Sequence, residues 1–367
     1  MNKKLISLLL SAALAVSMLT VPAFAAEGGE ADAALDETNE VVVTLGDTVT
    51  ASTVVEDTDK AAASKTETTD SAPAASTEKK QITYVALGDS IVAGVGLADV
   101  KYTNNSTTLY GVDMSSNFKG YSPDCYVGKV AAMMGLDRDH AINLGLPALT
   151  APDLVDMVRD GQMPKMNMDS GCWYKYPEFQ DYIRKADVVS VQIGSNDAFV
   201  PCIVALGNAT NWKSEALAAS VLAGDLRTSG NPAAALIQGI KDMHLTRDER
   251  NATWNLLTSE MSKICDRIYP QTTAALISVV QEIRKLNPDC QILLMGYTDP
   301  VPFIPCWHSY FKKLNKFEKQ LAETYDLTYV AIPKTKTDLD VHPTISGHEY
   351  IAKKIVNSIE LPEDSAQ

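Results

Sequence analysis

From residue 82 onward, short apolar runs alternate with stretches in which apolar positions return every three or four residues. The runs at 82–87, 141–145, 186–193, 291–296 and 327–332 each close on or just before a glycine or a proline, as buried strands do. Between them the helical period is carried by Val127, Val130, Ala131 and Met134, with Gly135 as the stop. Pro152-Asp153-Leu154 opens a second helix with a proline and an acid in its first turn. Ala275, Ile277, Val280, Ile283 and Leu286 mark a later helix that ends before Pro288, and another is expected near 312–325. Residues 199–270 break the rhythm with a largely helical segment interrupted at Gly224, Gly230 and Pro232, read as an insertion after the third strand. Strands alternating with helices predict an α/β fold with a central parallel sheet of five strands, covered on both faces.

The first 80 residues do not share this pattern. Lys3 and Lys4 precede an apolar run from Leu5 to Val21, and Ala23-Phe24-Ala25 has the small-residue spacing of a cleavage site, so residues 1–25 read as a secretion signal. Residues 26–80 hold thirteen acids against four lysines, with no aromatic residue and one proline, the composition of an acidic disordered linker. This segment and the signal account for half of the net charge of −14, so the domain expected at 81–367 is only mildly acidic. No basic stripe suggests nucleic acid, and no polybasic run suggests an anionic membrane surface. The mature protein is expected outside the cell or at its surface, without stable membrane insertion. Six cysteines, at 125, 172, 202, 265, 290 and 306, make at least one disulfide the expectation in an exported chain; none has the Cys-x-x-Cys spacing of a zinc site.

Candidate chemistry collects after the strands. Ser90, in Gly88-Asp89-Ser90, follows the first strand, at the carboxyl edge where open parallel sheets gather ligands. A serine nucleophile needs a base, an orienting group behind the base and donors for the oxyanion. Of five histidines, His140 falls at the wrong end of a strand, His244 inside the insertion, and His308 in a Pro-Cys-Trp-His-Ser loop. His348 reads as the first turn of the last helix, with Ser346 as its cap and a structural role. His342 follows the fifth strand with Asp338 and Asp340 close by. Gly194-Ser195-Asn196-Asp197 offers an amide side chain after the third strand, and 145–150 offers backbone N–H groups after the second.

Four blocks in this order resemble the SGNH family, also called GDSL hydrolases: Gly88-Asp89-Ser90-Ile91, 143–150, Gly194 with Asn196 and Asp197, and the His342-Pro343 loop. The resemblance spans roughly residues 81–360 and implies a flavodoxin-like, three-layer SGNH hydrolase sandwich. It further implies Ser90 as nucleophile, His342 as base, and the Ser90 N–H and Asn196 amide as oxyanion donors. Two departures stand out. The second-block glycine is Ala148, which disfavours positive φ and shifts the demand for backbone freedom to Gly145. Leu339 occupies the usual place of the orienting acid, leaving Asp340, the nearer, and Asp338 to serve His342.

The resemblance thus points to a secreted serine esterase that needs no metal or organic cofactor and acts on a small-molecule, glycan or lipid ester. Export argues against coenzyme A thioesters. The insertion is expected to roof the site. The rival from another class is a catalytically silent binding module on a flexible stalk, which would have no use for Ser90, Asn196 and His342 together.

Overall fold

The computed structural model describes residues 81–100, 118–214, 216–217, 231–300, 302, 304–338 and 341–360. The signal and linker expected over 1–80, and Leu339 and Asp340, lie outside the described residues. Strand β1 (Tyr84–Gly88) runs into the single turn α1 (Ser90–Ala93), and α2 (Tyr126–Met134) leads to β2 (Ala141–Gly145). Helices α3 (Ala151–Asp160) and α4 (Phe179–Lys185) lead to β3 (Val188–Gln192). Then come α5 (Ser195–Ala209), α6 (Pro232–Asp242), α7 (Arg247–Asn255) and the long α8 (Met261–Leu286) before β4 (Gln291–Met295). Helix α9 (Pro305–Tyr325) precedes β5 (Thr328–Val330), and α10 (Ile345–Val356) is the last described helix.

All neighbouring strands pair in parallel, in the order β2-β1-β3-β4-β5. Right-handed crossovers put the connection before β2 on one face of such a sheet and those after it on the other. The packing follows: α2 lies against α10, while α3, α5 and α9 gather around α8. Strands β1, β2 and β3 are buried on both faces, which is why they read as mostly apolar runs, with Asn143, Ser190 and Gln192 the buried polar exceptions. The chain reverses its direction of travel across the sheet between β1 and β3, and that is where such folds open a crevice.

Register sets the height of the site. Gly88 pairs with Gly145 on one side and with Gln192 on the other, so the exits of the three strands are level. Gly88 and Gly145 are there for space. A Cβ on Gly88 would lie 2.0 Å from the Gln192 carbonyl oxygen, and one on Gly145 would lie 2.3 Å from the Ala93 nitrogen. The freedom expected of Gly145 is therefore not of φ but of close approach to α1. The positive φ belongs to Ala148, at 60°.

Several expectations are corrected. Helix α8 passes through Pro270 without a break, and α7 continues into it through a π-helical turn at Leu256–Glu260, so the insertion has no boundary at 270. Its other boundary shifts too, because α5 already begins at Ser195. Helix α9 starts at Pro305, seven residues before the expected 312, which places His308 in a helix rather than a loop. Proline at the first helical position was the available signal. All six cysteines are buried free thiols, contrary to the expected disulfide. Three sit apart with their own partners: Cys125 caps α2 through the Gly128 N–H, Cys172 meets Ser170, and Cys290 bonds the Asn287 carbonyl. Cys265 contacts Cys202 and Cys306 as thiols. No described helix is long and apolar enough to cross a membrane.

Candidate active site

Asp89 is the N-cap of α1 and accepts from the Ile91 N–H at 2.9 Å, which fixes the turn that presents Ser90. As the first helical residue, Ser90 has a backbone N–H with no acceptor inside its own helix. Its Oγ lies 2.9 Å from His342 Nε2. His342 is 5 % exposed, so this pair is shielded from water while Ser90 remains partly open. The two residues are 252 positions apart in sequence.

The donors expected for an oxyanion come from β2 and β3. One N–H of the Asn196 amide bonds the Leu149 carbonyl at 3.0 Å, and the amide has a second N–H to offer. Asn196 and Ser90 line the same cavity. The loop carrying Ala148 is pinned along its length. Leu146 N–H bonds the Gly88 carbonyl at 2.9 Å, Tyr174 OH bonds the Pro147 carbonyl at 2.7 Å, and Ala151 N–H bonds Asp197 Oδ2 at 2.8 Å. These contacts hold alanine in a left-handed conformation that costs it on the order of 1–2 kcal/mol. Gly194, before α5, accepts from Tyr310 OH at 2.7 Å through its carbonyl. Asp197 is buried, and burial pushes its carboxyl up to about 7.

Sequence reasoning missed how much supports Ser90 from below. Asp89 Oδ2 accepts from Ser195 Oγ and from Tyr297 OH, both at 2.7 Å. Burial raises the Asp89 carboxyl above the usual range, opposed by these two donors, by the Ile91 N–H and by the proximity of His342. Three donors match a carboxylate, which only accepts. Tyr297 follows β4, the one strand exit where no motif was sought, although every strand of a parallel sheet delivers residues to the same edge. Asn143 opens the second block, and its contacts are not legible in the sequence. Its Nδ2 bonds the Val92 carbonyl at 2.8 Å and its Oδ1 accepts from the Gly145 N–H at 2.9 Å, locking α1 onto β2.

On the base side, the chain from 336 to 344 folds back on itself. Thr337 bridges to Pro343, Asp338 N–H bonds the His342 carbonyl at 2.9 Å, and Val341 N–H bonds the Asp338 carbonyl at 3.0 Å. Asp338 is thus beside His342 in the turn. The preferred partner, Asp340, lies outside the described residues. His348 is fully buried on α10, and its Nδ1 accepts from the Tyr126 N–H at 3.2 Å, a structural contact. Burial lowers it to about 3. The cap of α10 is Thr344, not Ser346, accepting from the Gly347 N–H. His140 bonds Asp137 ahead of β2, and His308 bonds Asp299. The insertion was expected to roof the site, yet among the described residues only Phe199 of 199–270 lines the Ser90 cavity.

A five-stranded parallel sheet thus gathers a serine, a histidine and an amide at its carboxyl edge, in the open α/β arrangement where such folds collect ligands. Residues 86–350 match the model of the GDSL-like lipase/acylhydrolase family, and the chain belongs to that family. No curated protein matches it. Among solved structures, it is similar to a lipase from a goat rumen metagenome, with 13 % identity, 76 % of this chain and 97 % of that one covered, and a TM-score of 0.43. A phospholipase A1 from Streptomyces albidoflavus aligns at 16 % identity, over 76 % and 100 % of the two chains, with a TM-score of 0.40. A catalytic mutant of an acetylxylan esterase from Geobacillus stearothermophilus aligns at 18 % identity, over 77 % and 97 %, with a TM-score of 0.36.

Proposed function

We propose that the protein is a secreted serine esterase that hydrolyses a carboxylic ester, of a carbohydrate or a lipid, through an acyl-enzyme on Ser90. The observation that carries this reading is the 2.9 Å contact of His342 Nε2 with Ser90 Oγ, at the strand edge where the fold collects ligands. His342 takes the Ser90 proton as Oγ attacks the ester carbonyl. The oxyanion is met by the Ser90 N–H and the free N–H of Asn196, with the Ala148 loop closing the same side. His342 then protonates the leaving alcohol, and water repeats the sequence on the acyl-enzyme. Asp340, or else Asp338, holds the far nitrogen of His342 so that Nε2 faces the nucleophile. A silent binding module has no need of such a contact. The N-terminal apolar run supports export of the chain.

The test joins Ser90→Ala to covalent labelling. Turnover of p-nitrophenyl acetate should fall by at least about 10³-fold in the variant, with an unchanged melting temperature. A fluorophosphonate should add once, at Ser90. Full activity in Ser90→Ala, or labelling at another residue, would remove the serine mechanism.

A further inference from the structure

The cavity that Ser90, Asn196 and His342 share is small and lined mostly by apolar surface. Its internal volume is about 30 Å³. By this measure a single water needs roughly 10–15 Å³, so there is room for about two or three small non-hydrogen atoms. Its apolar lining includes Phe199, Tyr297 and Phe311, with Ile332, Val341 and Ile351. All three aromatic rings are buried. Phe311 packs on Phe199 with ring centres 5.4 Å apart and on Tyr297 at 5.7 Å. Behind Phe199 stands Trp307, edge to face at 4.6 Å and itself buried. The Tyr297 ring is held from its other end by the hydroxyl bond to Asp89. Each ring thus packs against another, and a closely packed interior resists an extra methylene.

The wall is also tied to the chemistry. Asn196 and Phe199 stand three residues apart on α5, and residues at that spacing share a helix face. One face of one helix therefore supplies both an amide toward the oxyanion and a ring toward the acyl carbon.

We infer that Phe199, backed by Trp307 and joined by Phe311 and Tyr297, sets the acyl specificity, and that the substrate is an ester of a very short acid, acetyl or at most propionyl, rather than a fatty acyl ester. This rests on the proposed serine esterase reading and narrows it. The acyl carbonyl points to Asn196 and the Ser90 N–H, the alcohol leaves past His342, and the acyl tail is directed into a space that ends after one or two carbons.

The experiment measures kcat/KM for p-nitrophenyl acetate, butyrate, octanoate and laurate. Wild type should lose at least about tenfold from acetate to octanoate, the scale on which a tight apolar pocket rejects added methylenes. Phe199→Ala should raise the octanoate-to-acetate ratio by at least about tenfold, and Phe199→Leu should raise it less. The leucine variant keeps the test open if the alanine variant does not fold, as checked by its melting curve. Equal or faster turnover of octanoate by wild type overturns the inference, as does an unchanged ratio in the folded variants. Hydrolysis that survives Ser90→Ala at any chain length counts against the esterase reading itself, and is distinguishable because the chain-length ratio plays no part in it.

Discussion

Ser90 stands at the end of a strand paired on both sides, whereas His342 stands in a loop beyond a three-residue edge strand. On the first side α1 and its cap are cross-bonded to β2, β3 and α5, through the Asn143 side chain to the Val92 carbonyl, the Asp89 N–H to the Gln192 carbonyl, and the Ser195 hydroxyl to the Asp89 carboxylate. On the second side Thr344 N–H bonds the Lys336 carbonyl, Asp338 N–H the His342 carbonyl and Val341 N–H the Asp338 carbonyl, all within the loop, while the Thr344 carbonyl starts α10 by accepting from the His348 N–H. A nucleophile needs a fixed height and a sharp turn, and the sheet provides both. A base has to reach across from another strand, and a loop that folds on itself makes that reach without extending the sheet.

The sharpest way to break this comparison is through the carboxylates of the base loop. Asp340→Asn should lower kcat by on the order of 10³–10⁴-fold, while Asp338→Asn should change it little. The reverse ranking in steady-state kinetics would give the role to Asp338. Next in size is the oxyanion side. Asn196→Ala should cost on the order of 10²–10³-fold in kcat with KM nearly unchanged, since the lost donor acts on charge that develops only in the transition state. A rise in KM alone would show that the amide serves substrate binding instead.

The histidine below the base loop gives a stability test. His348 is held neutral, about 3 against an unfolded value near 6.5. A depressed folded value means that the unfolded chain takes up the proton first, so the contribution is complete above pH 6.5 and is lost as pH falls toward 3. Relative to His348→Gln, wild type should lose about 1.4 kcal/mol per pH unit within that window, measured by urea unfolding at several pH values. A constant gap would mean that His348 is protonated when folded.

The smallest effect tests the nucleophile side. Tyr297→Phe removes one donor from Asp89, which should lower kcat by about tenfold or less. Because that donor lowers the Asp89 carboxyl, its loss should move the acidic limb of the pH–rate profile upward. A uniform drop at all pH values would make Tyr297 a packing residue only.

The two sides also differ in how far they can be read from residues alone. The strand exits at Gly88, Gly145 and Gly194 are marked by composition, and Ser90 and Asn196 sit immediately after such marks, so local rules place them. Five strands and their parallel arrangement follow from the same alternation. Tyr297 carries no local mark, because its role depends on a carboxylate 208 residues away. The wall of Phe199, Phe311 and Trp307 is equally silent, since three aromatic residues on helical segments read as ordinary core. Ala148 shows the opposite limit. Propensity argues against its positive φ, and the surrounding loop overrides propensity. Pro305, at the first helical position, marks the early start of α9.

The loop that closes upon itself has a consequence for heat and denaturant. Parting Lys336 from Thr344 and Asp338 from His342 breaks backbone bonds of the loop and no strand pairing, so the loop is expected to open before the sheet does. His342 would then part from Ser90 while the strands stay paired, and ester turnover followed through a melt is expected to fall at a lower temperature than the circular-dichroism signal of the sheet.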